Sequence, residues 1–177
     1  MGQRGRANRV DHPPCKALSE GIGSAVTIVR QPTRAGVRDA AAKLAGVVPH
    51  TPVFPLRISG IDVACKAESL QPMGAFKLRG AWHRLTALDE AARAKGVVAF
   101  SSGNHAQGVA WAAGRLGIAA TIVMPADAPA AKVAGTRASG AEIVFYDRAT
   151  ESREAIAGDI ARKSGAVLVP SLSLIHI

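Results

Sequence analysis

Two short stretches of the chain hold groups suited to chemistry. GAFKLRG at 74–80 sets Lys77 just after a glycine turn, beside Phe76, where a helix is expected to begin. A lysine amine attacks a carbonyl only when unprotonated, and an ordinary pKa of ~10.4 leaves almost none free at neutral pH. An apolar neighbour such as Phe76 and the positive end of a nearby helix both favour the neutral amine. SSGNHAQG at 101–108 follows the apolar run VVAF and opens another helix. Ser101, Ser102, Gly103, Asn104 and His105 there offer consecutive backbone N–H groups, a turn able to bind a carboxylate or phosphate. The stretch is neither G-x-G-x-x-G nor G-x-x-x-x-G-K-[ST], which disfavours a nucleotide. Each stretch also has a plain reading. The first is an exposed lysine between a core phenylalanine and a surface Arg79, and the second a serine-capped turn between strand and helix.

The elements that must position these groups follow a repeated grammar. RAGVRDAAAKLAG presents Val37, Ala40, Ala41 and Leu44 on one helical face and closes at Gly46. VFPLRISG and IDVACKAE read as strands. A helix carrying Leu78, Trp82, Leu85 and Leu88 runs to Gly96 before VVAF, and one carrying Val109, Ala112, Ala113 and Leu116 runs to Gly117 before AATIVM. A third follows Pro129 and ends at Gly140 before AEIVFY, and a last, capped by Thr150, ends at Gly165 before AVLV. Strands alternating with helices predict parallel pairing through right-handed crossovers. The fold class is thus α/β, with open, mostly parallel sheets and flanking helices, and ligands are expected beyond the carboxyl ends of the strands. SSGNHAQG falls at such an end.

Composition narrows the partners. The chain has 177 residues, 48% of them hydrophobic and 4% aromatic, which suits small-residue helices on aliphatic strands. The formal charge of +9 is concentrated at the start: residues 1–38 hold seven basic residues against Asp11 and Glu20. Without a basic or aromatic recognition motif elsewhere, no nucleic-acid partner is expected. No apolar run reaches the ~20 residues of a membrane span, so no membrane partner is expected either. GIGSAVTIV at 21–29 has Glu20 at its edge and no clean cleavage site, and Cys15 and Cys65 form no disulfide framework, which points to the cytoplasm. His12, His50 and His83 share no ligand spacing, so no metal site is expected.

Taken together, LQPMGAFKLRGA, FSSGNHAQGVAWAA and TIVMPADAPAAKVAGTRASGAEIVFY resemble the threonine dehydratase and serine racemase branch of fold type II pyridoxal-phosphate enzymes. The resemblance runs from about Pro32 to Ser171. It implies a tryptophan-synthase-β-like fold, here truncated, and pyridoxal 5'-phosphate as cofactor. It implies that Lys77 forms the Schiff base with that cofactor, that Phe76 lies beside its ring, and that Asn104 hydrogen-bonds its 3-hydroxyl. Ser101–His105 matches the loop that grips the substrate carboxylate, and Ser102 occupies a position where serine raises the prospect of proton return from the opposite face. One departure is Ala75, where the family commonly has serine.

The activity implied is a threonine or serine ammonia-lyase, removing the β-hydroxyl to give a 2-oxo acid and ammonia. Serine racemase and hydroxyaspartate dehydratase are the alternatives, and a non-catalytic α/β module is the alternative for this chain alone. A small amino acid is the expected partner, and the full-length family member is expected to be a homo-oligomer. By organisation, residues 1–31 are expected to be a disordered tail or misassigned start. Residues 32–100 are expected to begin a large cofactor domain, and 101–171 to form a small substrate-binding domain. LSLIHI at 172–177 reads as a non-native extension.

Overall fold

The computed structural model describes residues 33–171; the expected tail at 1–31 and the extension at 172–177 lie outside them. Helix α1 (Arg34–Leu44) begins where the Thr33 hydroxyl accepts from the Gly36 amide. Only Ala40 of its expected apolar face is buried, and Val37 is 58% exposed. Among the described residues α1 leans mainly on the helix that carries Trp82, whose Nε1 donates to the Lys43 carbonyl at 2.9 Å, and this leaves most of the stripe uncovered by them.

Strands β1 (Val53–Ile58) and β2 (Ile61–Lys66) form an antiparallel hairpin, in register from Val53 opposite Lys66 to Ile58 opposite Ile61. The turn residues Ser59 and Gly60 both have positive φ, the geometry that matches the twist of a two-residue hairpin. This antiparallel pair is compatible with the mostly parallel sheets expected, because so short a link permits only antiparallel strands.

A short 3-10 turn (Glu68–Leu70) leads to α2 (Lys77–Thr86). The single helix expected to run on to Gly96 is in fact two. The Asp89 carboxylate accepts from the Ala92 amide and starts a separate α3 (Glu90–Ala94), because a good capping residue offers the backbone a fresh beginning.

The second sheet is wholly parallel, in the order β5-β4-β3-β6. Its strands are β3 (Val97–Phe100), β4 (Ala120–Pro125), β5 (Glu142–Tyr146) and β6 (Val167–Leu168). They alternate with α4 (Asn104–Leu116), α5 (Ala130–Ala138) and α6 (Arg153–Ser164). Ser152, not Thr150, caps α6 by accepting from the Ala155 amide; the Thr150 amide is drawn into a turn onto the Asp147 carbonyl. β3 and β6 are hydrogen-bonded neighbours, so one sheet spans both sides of the division expected at 100/101.

Strand alternation divides the core. Val97, Ala99, Ile122 and Met124 face one layer with Ala106, Val109, Ala110 and Ala113 of α4, and with Ala81 and Leu85 of α2 behind it. Val98, Val123 and Tyr146 face Ala157 of α6 on the other side. Both faces are covered, as parallel crossovers require. From β3 the chain steps to β4 and β5 in one direction, while β6 returns on the other side. That reversal falls at the carboxyl end of β3, the position where open α/β sheets generally hold ligands. No helix among the described residues is long and apolar enough to cross a membrane.

Candidate active site

The approach to Lys77 is built by a turn. The Gly74 amide donates to the Gln71 carbonyl at 2.7 Å, and Gly74 sits at φ 72°, a conformation that side chains other than glycine adopt at a cost. Ala75 is buried behind it, and Phe76 is the N-cap of α2, so Lys77 becomes its first residue. Lys77 is half-buried and its Nζ stands 5.3 Å from the centroid of the Phe76 ring, while Phe76 itself is 54% exposed. A Cβ on Gly108 would lie 3.1 Å from both the carbonyl carbon and oxygen of Lys77. The missing side chain therefore lets the second turn of α4 press against the backbone at the start of α2.

That loop, 101–103 and the first turn of α4, offers fewer free donors than its five consecutive amides suggested. The Ser101 amide is taken by the Val123 carbonyl at 3.1 Å, extending the β3–β4 pairing. The Gly103 amide donates to Ser101 Oγ at 3.2 Å. Ser102, Asn104 and His105 keep their amides clear of any backbone acceptor among the described residues. Gly103 is the N-cap and supplies no side-chain cap, so the plain alternative of a serine-capped helix start is not what the chain adopts. Uncommitted amides at a helix N-terminus are the kind of donors that anions bind in proteins generally.

His105 is buried within that first turn. Its Nε2 lies 2.9 Å from the Val169 carbonyl at the end of β6. A carbonyl only accepts, so Nε2 carries the hydrogen and Nδ1 keeps its lone pair, buried and without a partner among the described residues. Burial lowers the His105 pKa, against the opposing effect of the Val169 bond, and the charge of Lys77 lowers it further. The exposed Asn104 turns its Oδ1 to Lys132 Nζ at 2.6 Å.

One network was not legible from sequence. Arg79, read there as a surface charge, grips Glu68 with Nε and Nη2 at 2.6 and 2.8 Å. Thr51 donates its hydroxyl to the same carboxylate at 2.6 Å, and Lys66 Nζ donates to the Thr51 carbonyl at 2.8 Å. The Arg79 bonds hold the Glu68 carboxyl down at about 2, against the opposing push of burial, with Thr51 adding to them. This pair ties the hairpin's exit to the first turn of α2, two residues beyond Lys77. Its only sequence signal is an acid and an arginine flanking the lysine motif. Two surface concavities walled by Tyr146 and Arg148, beyond the carboxyl end of β5, include neither Lys77 nor the 101–105 loop.

The family described as "Pyridoxal-phosphate dependent enzyme" matches residues 44–176. An L-threo-3-hydroxyaspartate ammonia-lyase from Pseudomonas sp is 56% identical over 136 residues, covering 75% of this chain and 43% of that protein. An L-threonine ammonia-lyase from Thermotoga maritima is 43% identical over 120 residues, covering 68% and 30%. The solved structure of maize serine racemase superposes with a TM-score of 0.73 at 41% identity, covering 79% of this chain and 44% of that one. The chain spans less than half the length of each of these proteins.

Proposed function

The chain belongs to the pyridoxal-phosphate dependent enzyme family, among ammonia-lyases and racemases of fold type II, and from that premise we propose that it carries the amine and the carboxylate-binding loop of an ammonia-lyase acting on a β-hydroxy amino acid. The observation that carries the reading is that a half-buried Lys77 has its backbone against Gly108 of α4, the helix whose opening loop and first turn leave the amides of Ser102, Asn104 and His105 uncommitted. Identity favours 3-hydroxyaspartate over threonine as the substrate, since the relative named for the former is the more similar.

The residues present fit one edge of pyridoxal phosphate. Lys77 offers an amine for its carbonyl carbon, Asn104 an amide for its ring oxygen, and Phe76 an exposed ring for its face. When bound, that cofactor supplies an electron sink for the carbanion left by loss of the substrate's α-proton. The protein's own part is positioning and proton transfer. The amides of Ser102, Asn104 and His105 hold the substrate carboxylate, which fixes the direction of the Cα–H bond. Lys77 Nζ, when unprotonated, accepts that proton. His105 stays neutral through burial, so the loop keeps one orientation without adding a mobile charge. The Ser102 hydroxyl stands on the same loop and is the candidate for returning a proton from the opposite side.

Lys77→Ala tests the assignment. Adding pyridoxal phosphate to the parent chain should give a visible absorbance band, and reductive trapping should label the peptide containing residue 77. Both should vanish in the variant; a persisting band with label elsewhere rejects Lys77 as the attachment point. A parent chain that shows no band at all would favour the non-catalytic module for this stretch of sequence.

A further inference from the structure

Lys132 lies on α5, outside both motifs, yet it reaches the loop. It is half-buried, and its Nζ donates to Asn104 Oδ1 at 2.6 Å and to Gln107 Oε1 at 3.0 Å. Both acceptors are neutral amides on the first turn of α4, and among the described residues no carboxylate forms an ion pair with Lys132. Gln107 also packs on α5. A Cβ on Gly135 would lie 2.1 Å from Gln107 Nε2, so a side chain at residue 135 would make the Gln107 amide shift. Its nitrogen end packs on Gly135, and its oxygen end is left for Lys132.

An ammonium group has donors and no lone pair, so it binds the oxygen of a carboxamide and never the nitrogen. Holding Asn104 by Oδ1 therefore decides which way that amide faces: Nδ2 points away from Lys132 as a free donor. The positive charge on the oxygen side also polarises the amide and strengthens its N–H groups. We propose that Lys132 is a positioning residue that sets the Asn104 amide so that Nδ2 donates to the anionic ring oxygen of the cofactor. This rests on the reading that Asn104 faces the cofactor. An Asn104 free to turn over would present Oδ1 to that oxygen half of the time, and two acceptors repel.

The test uses the full chain with Lys132→Met, Lys132→Gln and Lys132→Arg, and Asn104→Ala as the control. Without ligand, the side-chain amide signals of Asn104 in 1H–15N spectra should be dispersed in the parent and in Lys132→Arg. They should move toward free-asparagine positions in Lys132→Met and Lys132→Gln, with the backbone signals of α4 and the melting midpoint held. Titration with pyridoxal phosphate, followed by visible absorbance, should show about tenfold weaker binding in the Met and Gln variants and near-parent binding in Arg. Asn104 signals that stay in place in both neutral variants overturn the proposal. So does unweakened cofactor binding by those variants when Asn104→Ala binds weakly. If Asn104→Ala itself binds as the parent does, it is the reading of Asn104 as a cofactor contact that fails.

Discussion

The β1–β2 hairpin and the four-stranded sheet are made of the same aliphatic residue types and end in opposite states. In the sheet, Val97, Val98, Ile122 and Val123 are at most 1% exposed. In the hairpin, Ile58 is 58% and Ile61 is 65% exposed, and every residue of both strands is open to solvent. Hydrogen-bonded pairing is therefore sufficient to define a strand and insufficient to bury one. The cause lies in the connections. Each parallel crossover returns a helix across a face of the sheet, whereas the Ser59-Gly60 turn brings nothing back over the hairpin. Lys77 sits where the two regions meet, at the first residue of the helix that follows the hairpin and packs on α4.

Three measurements sharpen that contrast, and the largest effect belongs to the packed side. Leu85 is fully buried where α2 meets the core, so Leu85→Ala should lower the unfolding free energy by about 2–5 kcal/mol in urea titrations. A loss below about 1 kcal/mol would mean that α2 is not part of the same core as the sheet.

Next comes the joint between the regions. The Glu68 carboxyl drops from 4.5 to about 2 on folding, because Arg79 and Thr51 hold it ionised. A group depressed in this way stabilises the fold above its unfolded pKa and ceases to do so as pH falls through its folded one. The order of magnitude is ~3 kcal/mol, fully present above about pH 5 and lost toward pH 2. Glu68→Gln should flatten the fall of stability between pH 5 and pH 2, and an unchanged slope would show that the pair does not join hairpin to helix. The smallest effect belongs to the open side. Ile61→Ala should change stability by no more than about 0.5 kcal/mol, and a larger loss would show that something covers the hairpin in solution.

Much of the fold could be read one residue at a time. Gly46, Gly96, Gly117, Gly140 and Gly165 all take positive φ and mark helix ends as expected. The errors came where two local signals competed. Asp89 and Leu88 fell in one apparent helix, yet the Asp89 cap won and split it; Ser152 won over Thr150 two residues away. Both outcomes depend on geometry at a single turn, which a pattern of apolar spacing does not contain.

By itself, the order of residues determined the alternation of strand and helix, the placing of Lys77 at a helix start and of SSGNHAQG beyond a strand, because those follow from φ preferences, capping and periodicity within a few neighbours. Only the tertiary structure decided which loop amides remain free, that Glu68 closes on Arg79, and that Lys132 reaches Asn104 from another helix. Hydrogen bonds between elements form or fail within a few tenths of an ångström, and chains of contacts such as Gly108 against Lys77 set those distances.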